Sequence, residues 1–218
     1  MRYMPVMSPS DRNRAKRGYH HGNLRAALVD AARALIAEKG PMGFTIAEAA
    51  RLAGVSPSAP YRHFKDRDAL IVDVAKEGFT RFADALEAAW SAPSLTPLQA
   101  LDAQGRAYLQ FAKEEPAFFS AMFESGVSPG VDPDLRREAD RAFNLLARAC
   151  DAVAAGAPPE RRPPALMMAT HIWALSHGIA AVFGRGDDGR RASPLPAEDL
   201  LESAVAVYLR GLGVLPTD

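Results

Sequence analysis

Thr45-Ile46-Ala47-Glu48-Ala49-Ala50-Arg51-Leu52-Ala53-Gly54-Val55-Ser56-Pro57-Ser58-Ala59-Pro60-Tyr61-Arg62-His63-Phe64-Lys65 decides the fold. Thr45 and Glu48 stand three apart at the head of an apolar run, the spacing at which hydroxyl and carboxylate satisfy each other's orphan amides. The helix they open is short and ends near Ala53-Gly54, where a glycine relieves the positive φ of a tight turn. Ser56-Pro57-Ser58-Ala59-Pro60 then supplies caps and first-turn prolines, and Tyr61 to Phe64 completes a third short helix. Ile46, Ala49, Ala50, Val55, Tyr61 and Phe64 fall where these helices and the one before them share a small core. Two short helices joined by a glycine turn make a helix-turn-helix corner.

Outward from this corner, almost everything reads as helix. On the N-terminal side Leu24, Ala27, Leu28, Ala31, Ala32, Leu35 and Ile36 form an apolar stripe at helical spacing, stopped by Gly40. On the C-terminal side Asp66 caps a long helix running toward Trp90, and Ser91-Ala92-Pro93-Ser94 breaks it. Further helices are expected near Pro97–Glu114, Pro116–Glu124, Asp134–Ala155, Pro164–Phe183 and Ala197–Leu212, separated by proline and glycine clusters. No run alternates long enough for a strand. The expected fold is all-α with about nine helices: a basic arm over 1–18, a three-helix head over 19–67 and a larger helical domain over 68–218.

The 218 residues are 48% hydrophobic and 24% charged, the balance of a soluble protein with a real core. Cys150 is the one cysteine, so no intrachain disulfide forms, and a small buried apolar side chain accounts for it. No uninterrupted apolar run approaches the roughly 20 residues that cross a bilayer. Residues 1–10 mix Arg2 with Pro5 and Pro9 and lack a signal-peptide apolar block. A cytoplasmic protein with no membrane partner is expected.

Net charge is zero, but it is unevenly spread. Residues 1–67 hold 12 Lys+Arg against 5 Asp+Glu, a balance of +7, and the remainder carries −7. A basic end on an acidic remainder suits contact with phosphate. The corner itself offers Ser58, Tyr61, Arg62, His63, Lys65 and Arg67, with only Asp66 opposing. Arg and Lys neutralise phosphates, and Tyr and His hydrogen-bond phosphate or touch base edges. The helix N-terminus at Thr45 is a natural phosphate seat.

Tyr19-His20-His21-Gly22-Asn23-Leu24, Phe44-Thr45-Ile46 through Ala53-Gly54-Val55-Ser56, and Tyr61-Arg62-His63-Phe64-Lys65 together resemble the DNA-binding domain of TetR/AcrR-type regulators. The resemblance covers Tyr19 to Val74. It implies a DNA-binding head joined by its fourth helix to an all-helical ligand-binding and dimerisation domain. Carried over by position, Thr45 and Arg67 contact phosphates, while Ser58, Ala59, Tyr61, Arg62 and His63 face the major groove or its walls. Ser56 and Lys65 complete the expected DNA-binding set, and Phe64 is core. The chain departs from the family at Pro57, Pro60 and Ala59, leaving fewer polar groups to reach bases. For the arm residues Arg12, Arg14, Lys16, Arg17, His20 and His21, a solvated tail and a phosphate or minor-groove clamp both fit.

His171-Ile172-Trp173-Ala174-Leu175-Ser176-His177-Gly178 resembles the Trp-His-Gly stretch of one C-terminal domain type in the same family. That implies a homodimer interface built from this helix and the last one, with His177, Leu201, Val205 and Tyr208 in it. The last helix carries Leu201, Val205, Tyr208, Leu209 and Leu212 at helical spacing, which ordinary core packing also explains. One helix-turn-helix covers half a palindrome, so a homodimer on double-stranded operator DNA is the expected assembly. For a small, largely apolar effector the expected cavity is bounded by Tyr108, Phe119, Met122, Phe123, Met167 and Trp173, although each singly reads as core. Repression is the family's commoner habit.

Enzymatic readings find little support. His171 and His177 lie six apart and do not share the i, i+4 face of a helical metal pair. No Gly-rich phosphate loop, nucleophile elbow or Cys-x-x-Cys appears. No catalytic residue, metal or cofactor is expected. Two other readings stay open: a ligand-binding helical protein whose DNA grip has decayed, and a helical enzyme using His171 or His177.

Overall fold

A computed structural model describes residues 24–91, 93–183 and 195–215, and these contain eight α-helices and no strand. The expected arm over 1–18 and the motif residues Tyr19 to Asn23 lie outside the described residues. The helices are α1 (Leu24–Lys39), α2 (Ile46–Leu52), α3 (Arg67–Trp90), α4 (Pro97–Glu114), α5 (Pro116–Phe123), α6 (Pro133–Ala154), α7 (Ala165–Phe183) and α8 (Ala197–Gly211). The ninth expected helix, around Tyr61, is instead a single 3-10 turn over Ala59–Arg62. One proline causes this. Pro60 has no N–H to give the Ser56 carbonyl, so that oxygen takes the Ala59 amide in a tighter i−3 bond of 3.0 Å.

Four of the helices begin where a side chain caps them. Thr45 and Glu48 form the expected capping box on α2, and Thr96 and Gln99 form another on α4. Asp66 accepts the Ala69 amide at 2.8 Å, and Asp132 accepts those of Asp134 and Leu135. Between α2 and the 3-10 turn, Gly54 takes φ +74°, with its amide donating to the Arg51 carbonyl and that of Val55 to Ala50. This is the six-to-one closure of a left-handed helix end. A Cβ at Gly54 would meet nothing within 4 Å. Gly54→Ala should therefore cost only the left-handed backbone penalty, about 1–2 kcal/mol, read by denaturant unfolding.

The long helix α3 is the axis of the molecule. Its buried side, including Leu70, Val74, Phe82 and Leu86, packs on α1 in the head and on α4, α5 and α6 beyond it. One apolar core runs continuously from Leu28, Ile36 and Phe64 through α3 to Phe118 and Tyr108. A second joins Leu101, Cys150, Met168, Ile172 and Leu209. Cys150 is fully buried, as expected, and burial pushes its thiol up to about 12. Where α3 crosses α5 the close approach is made by Gly78: a Cβ there would stand 2.8 Å from Met122 Sδ and 3.1 Å from Phe118 Cβ.

Helix α7 corrects the membrane expectation in one respect. Its 19 residues reach a mean hydropathy of 1.4 over their most apolar window, so by length and composition it is apolar enough to cross a bilayer. Counting uninterrupted apolar residues missed it, because Thr170, His171, Ser176 and His177 punctuate the run without adding fixed charge. Only 28% of that window is buried within the chain. Exposed Leu166, Thr170, Trp173, Ala174, Gly178 and Val182 recur at helical spacing along the uncovered side.

Candidate nucleic-acid interface

The corner presents one exposed row. Ser56, Ser58, Tyr61, Arg62, His63 and Lys65 are all exposed, Tyr61 at 59% of its surface, while Ala59 is half-buried. Pro60 and Phe64 turn inward and anchor the row to α1 and α3. Phe64 packs beneath the Arg25 guanidinium, which stands 4.9 Å from the ring centroid and also pairs with Asp73 at 2.6 Å. This agrees with Phe64 as core. Tyr61 was expected to serve both core and DNA, and its exposure removes it from the core. Ser56 and Ser58 hydroxyls lie 3.2 Å apart, and the Lys65 ammonium is nearly free, 3.9 Å from Asp66.

The two residues carried over as phosphate contacts already have partners. The Thr45 amide and hydroxyl both donate to Glu48 Oε2, at 2.9 and 3.0 Å, and Lys39 donates to Glu48 Oε1 at 2.8 Å. Arg67 donates to Asp68 Oδ1 at 2.8 and 3.1 Å and to the Met42 carbonyl at 3.4 Å. The N-terminus of α2 is thus occupied by the chain's own carboxylate, which Lys39 neutralises.

Those bonds hold the Glu48 carboxyl down at about 2, the Lys39 hydrogen bond first and the Thr45 amide and hydroxyl next. A folded value below the ordinary 4.5 means a contribution that is full above that pH and is lost as the pH falls toward about 2. The stability deficit of Glu48→Gln should accordingly be constant at neutral pH and vanish through that acid window in pH-dependent thermal melts.

In the larger domain the expected effector residues divide. Tyr108, Phe119 and Phe123 converge with Phe82 in one packed cluster of rings, Tyr108–Phe82 at 5.0 Å and Phe119–Phe123 at 4.9 Å between centroids. His177, expected at the dimer interface, stands inside this cluster: it stacks on Phe119 at 5.5 Å and lies 2.9 Å through Nδ1 from the Tyr108 hydroxyl. Burial raises the Tyr108 pKa far above its usual range, so the phenol keeps its proton. Trp173, 38% exposed, reaches from the surface to His177 at 5.8 Å and meets Phe143 edge-on. Met122 is buried against Gly78, whereas Met167 faces outward and its neighbour Met168 is fully buried in the second core.

The other interface candidates also divide. Leu201 is buried within the chain and Val205 is partly buried beside it. Tyr208 receives or gives a 3.0 Å hydrogen bond with His171 Nδ1, tying α8 to α7. The residues that α7 and α8 leave uncovered are others, led by Leu166 at 66% and Val207 at 67% exposure. Sequence periodicity marks the Leu201, Val205, Tyr208 and Leu209 side of α8 as apolar, but cannot say whether that side packs within the chain or against a second copy.

Comparison with known proteins agrees with this architecture. Residues 28–74 match the family of bacterial regulatory proteins of the tetR type, and residues 101–208 match the tetracyclin repressor-like C-terminal domain. Over 102 residues the chain is 33% identical to the HTH-type transcriptional regulator BetI of Rhizobium meliloti (strain 1021), covering 45% of this chain and 50% of that one. The chain spans about half the length, or less, of the curated relatives it matches. A protein of unknown function from Rhodococcus sp. RHA1 is 31% identical and superposes with a TM-score of 0.72, covering 89% of this chain and 98% of that one. AibR, solved with isovaleryl coenzyme A and operator DNA, shares the fold at 15% identity and a TM-score of 0.64, over 84% of this chain and 96% of that one.

Proposed function

The chain belongs to the TetR family of transcriptional regulators, and on that footing we propose that it represses by holding a palindromic operator as a homodimer and lets go when a small, largely apolar effector binds. The observation that carries this reading is the exposed row from Ser56 to Lys65, fixed by the Gly54 turn and by buried Pro60 and Phe64. Tyr61 and Arg62 reach base edges in the major groove; Ser56, Ser58, Ala59 and His63 line its walls. Lys65 meets phosphate directly. Thr45 and Arg67 do so by exchanging Glu48 and the exposed Asp68 for phosphate oxygens.

One head reads one half-site, so two copies must be joined, roughly 34–36 Å apart. The uncovered apolar side of α7, together with Val207 of α8, is the surface that joins them. A regulator of this kind works beside the chromosome, in the cytoplasm. The effector enters among Tyr108, Phe119, Met122, Phe123, Trp173 and His177, where rings now packed on one another must part, favouring a second arrangement of α3 and α5. AibR, of like fold, holds both a small ligand and operator DNA, which supports giving this chain both kinds of partner.

Fluorescence anisotropy on duplexes carrying the inverted repeats nearest its gene tests the DNA half. Binding should weaken steeply with salt, and Lys65→Ala should lower the salt slope by about one. Arg62→Ala should cost about 1–3 kcal/mol and relax preference at one position of each half-site. A protein that ignores every such duplex at low ionic strength would be the ligand-binding protein with a decayed grip.

A further inference from the structure

Beneath α7 and α8, on the side turned toward α4, lies a cavity of about 300 Å³. None of the rings of the Tyr108 cluster lines it. Its wall is apolar, formed by Leu101, Leu109, Ile172, Leu201, Val205 and Leu209. Its mouth is acidic: Asp102, Glu198 and Glu202 stand against a single cation, Arg106. That cation is already committed, donating to Asp102 Oδ2 at 2.9 Å and to Glu202 Oε2 at 2.7 Å across the gap between α4 and α8. One guanidinium offsets one carboxylate, so the rim keeps two surplus negative charges. Gly105 opens the wall, since a Cβ there would stand 3.0 Å from Leu201 Cδ2 and larger side chains would fill the space.

We propose that this cavity is a second ligand site, taking an amphiphilic organic cation with its apolar body among the leucines of α4, α7 and α8 and its ammonium at Asp102, Glu198 and Glu202. Burial of an alkyl chain supplies the affinity, and the rim supplies the sign. The volume lies at the small end of ligand sites, which suits one short chain. An anion of the same length would meet carboxylates with no cation left to answer it. The site stands apart from the effector reading above, and its test needs no operator.

Calorimetry on the full chain, at low ionic strength and below micelle formation, would compare octyltrimethylammonium, octanol and octanoate. The cation should bind about tenfold more tightly than octanoate, with octanol between them and the preference shrinking in salt. Glu198→Lys, a change at the half-buried mouth, should erase that preference while leaving octanol binding and the melting temperature in place. Gly105→Leu should remove binding of all three. Octanoate binding as well as the cation, no heat from any probe, or cation affinity untouched by Glu198→Lys would each overturn the proposal. So would a Glu198→Lys protein whose sedimentation changes while its cation affinity does not, since the groove would then be a contact between copies of the chain.

Discussion

An aspartate in place of Ala174 is expected to leave each protomer folded, split the proposed dimer and weaken its proposed operator binding by about a hundredfold or more. Ala174 is exposed on the uncovered side of α7, midway between Leu166 and Val182. Within one protomer the new carboxylate stays in water and costs little. In a symmetric interface it is buried twice, without a partner, at several kcal/mol for each copy. Operator binding then loses the gain that comes from linking two half-site contacts, which spans roughly two to four orders of magnitude. Sedimentation equilibrium reads the first effect and anisotropy on a full palindrome the second, while a half-site duplex should bind unchanged. A variant that stays dimeric and keeps full affinity would move the subunit contact away from α7.

Phe119→Ala should have the largest effect on stability, about 3–5 kcal/mol. Phe119 is 1% exposed and touches Tyr108, Phe123 and His177 at once. Its loss opens a void among rings that are themselves held on three different helices, so little collapse can fill it. A domain stable by roughly 5–15 kcal/mol would retain its fold at room temperature but melt far earlier. Benzene should restore part of the lost melting temperature, since a dry aromatic void accepts a ring. Equal destabilisation with no rescue would show that α5 has closed the gap, and would remove Phe119 from the effector's surroundings.

The helices were legible where the chain announces their ends. Pro97, Pro116 and Pro133 each begin a helix, and Thr45, Asp66 and Asp132 cap one, because caps and first-turn prolines are local chemistry. The third helix was misread for an equally local reason, the missing amide of Pro60. Side-chain partners were harder to read. His177 carries the family's dimer motif, yet its ring turns toward Phe119 and Tyr108, a choice set by which way α7 rolls on α4. The same roll buries Met168 and exposes Met167, and periodicity on a helix apolar all round cannot fix it. The α4–α7–α8 cavity depends on Gly105 and Leu201, nearly a hundred residues apart, and has no signature in either segment alone.

The crossing at Gly78 also sets a scale for motion. With no side chain at Gly78, α3 comes close to α5 there, and Phe79 and Phe82 extend the contact to Phe123; a tilt between the helices can be reckoned from that crossing. Arg67, where α3 meets the head, lies eleven residues away, or about 16 Å along the helix. A 10° tilt about the crossing would swing that end by about 3 Å, close to the ~3.4 Å step between neighbouring base pairs. In the proposed operator complex, a displacement of one ring's thickness on the far arm would thus shift a head by nearly one base-pair step.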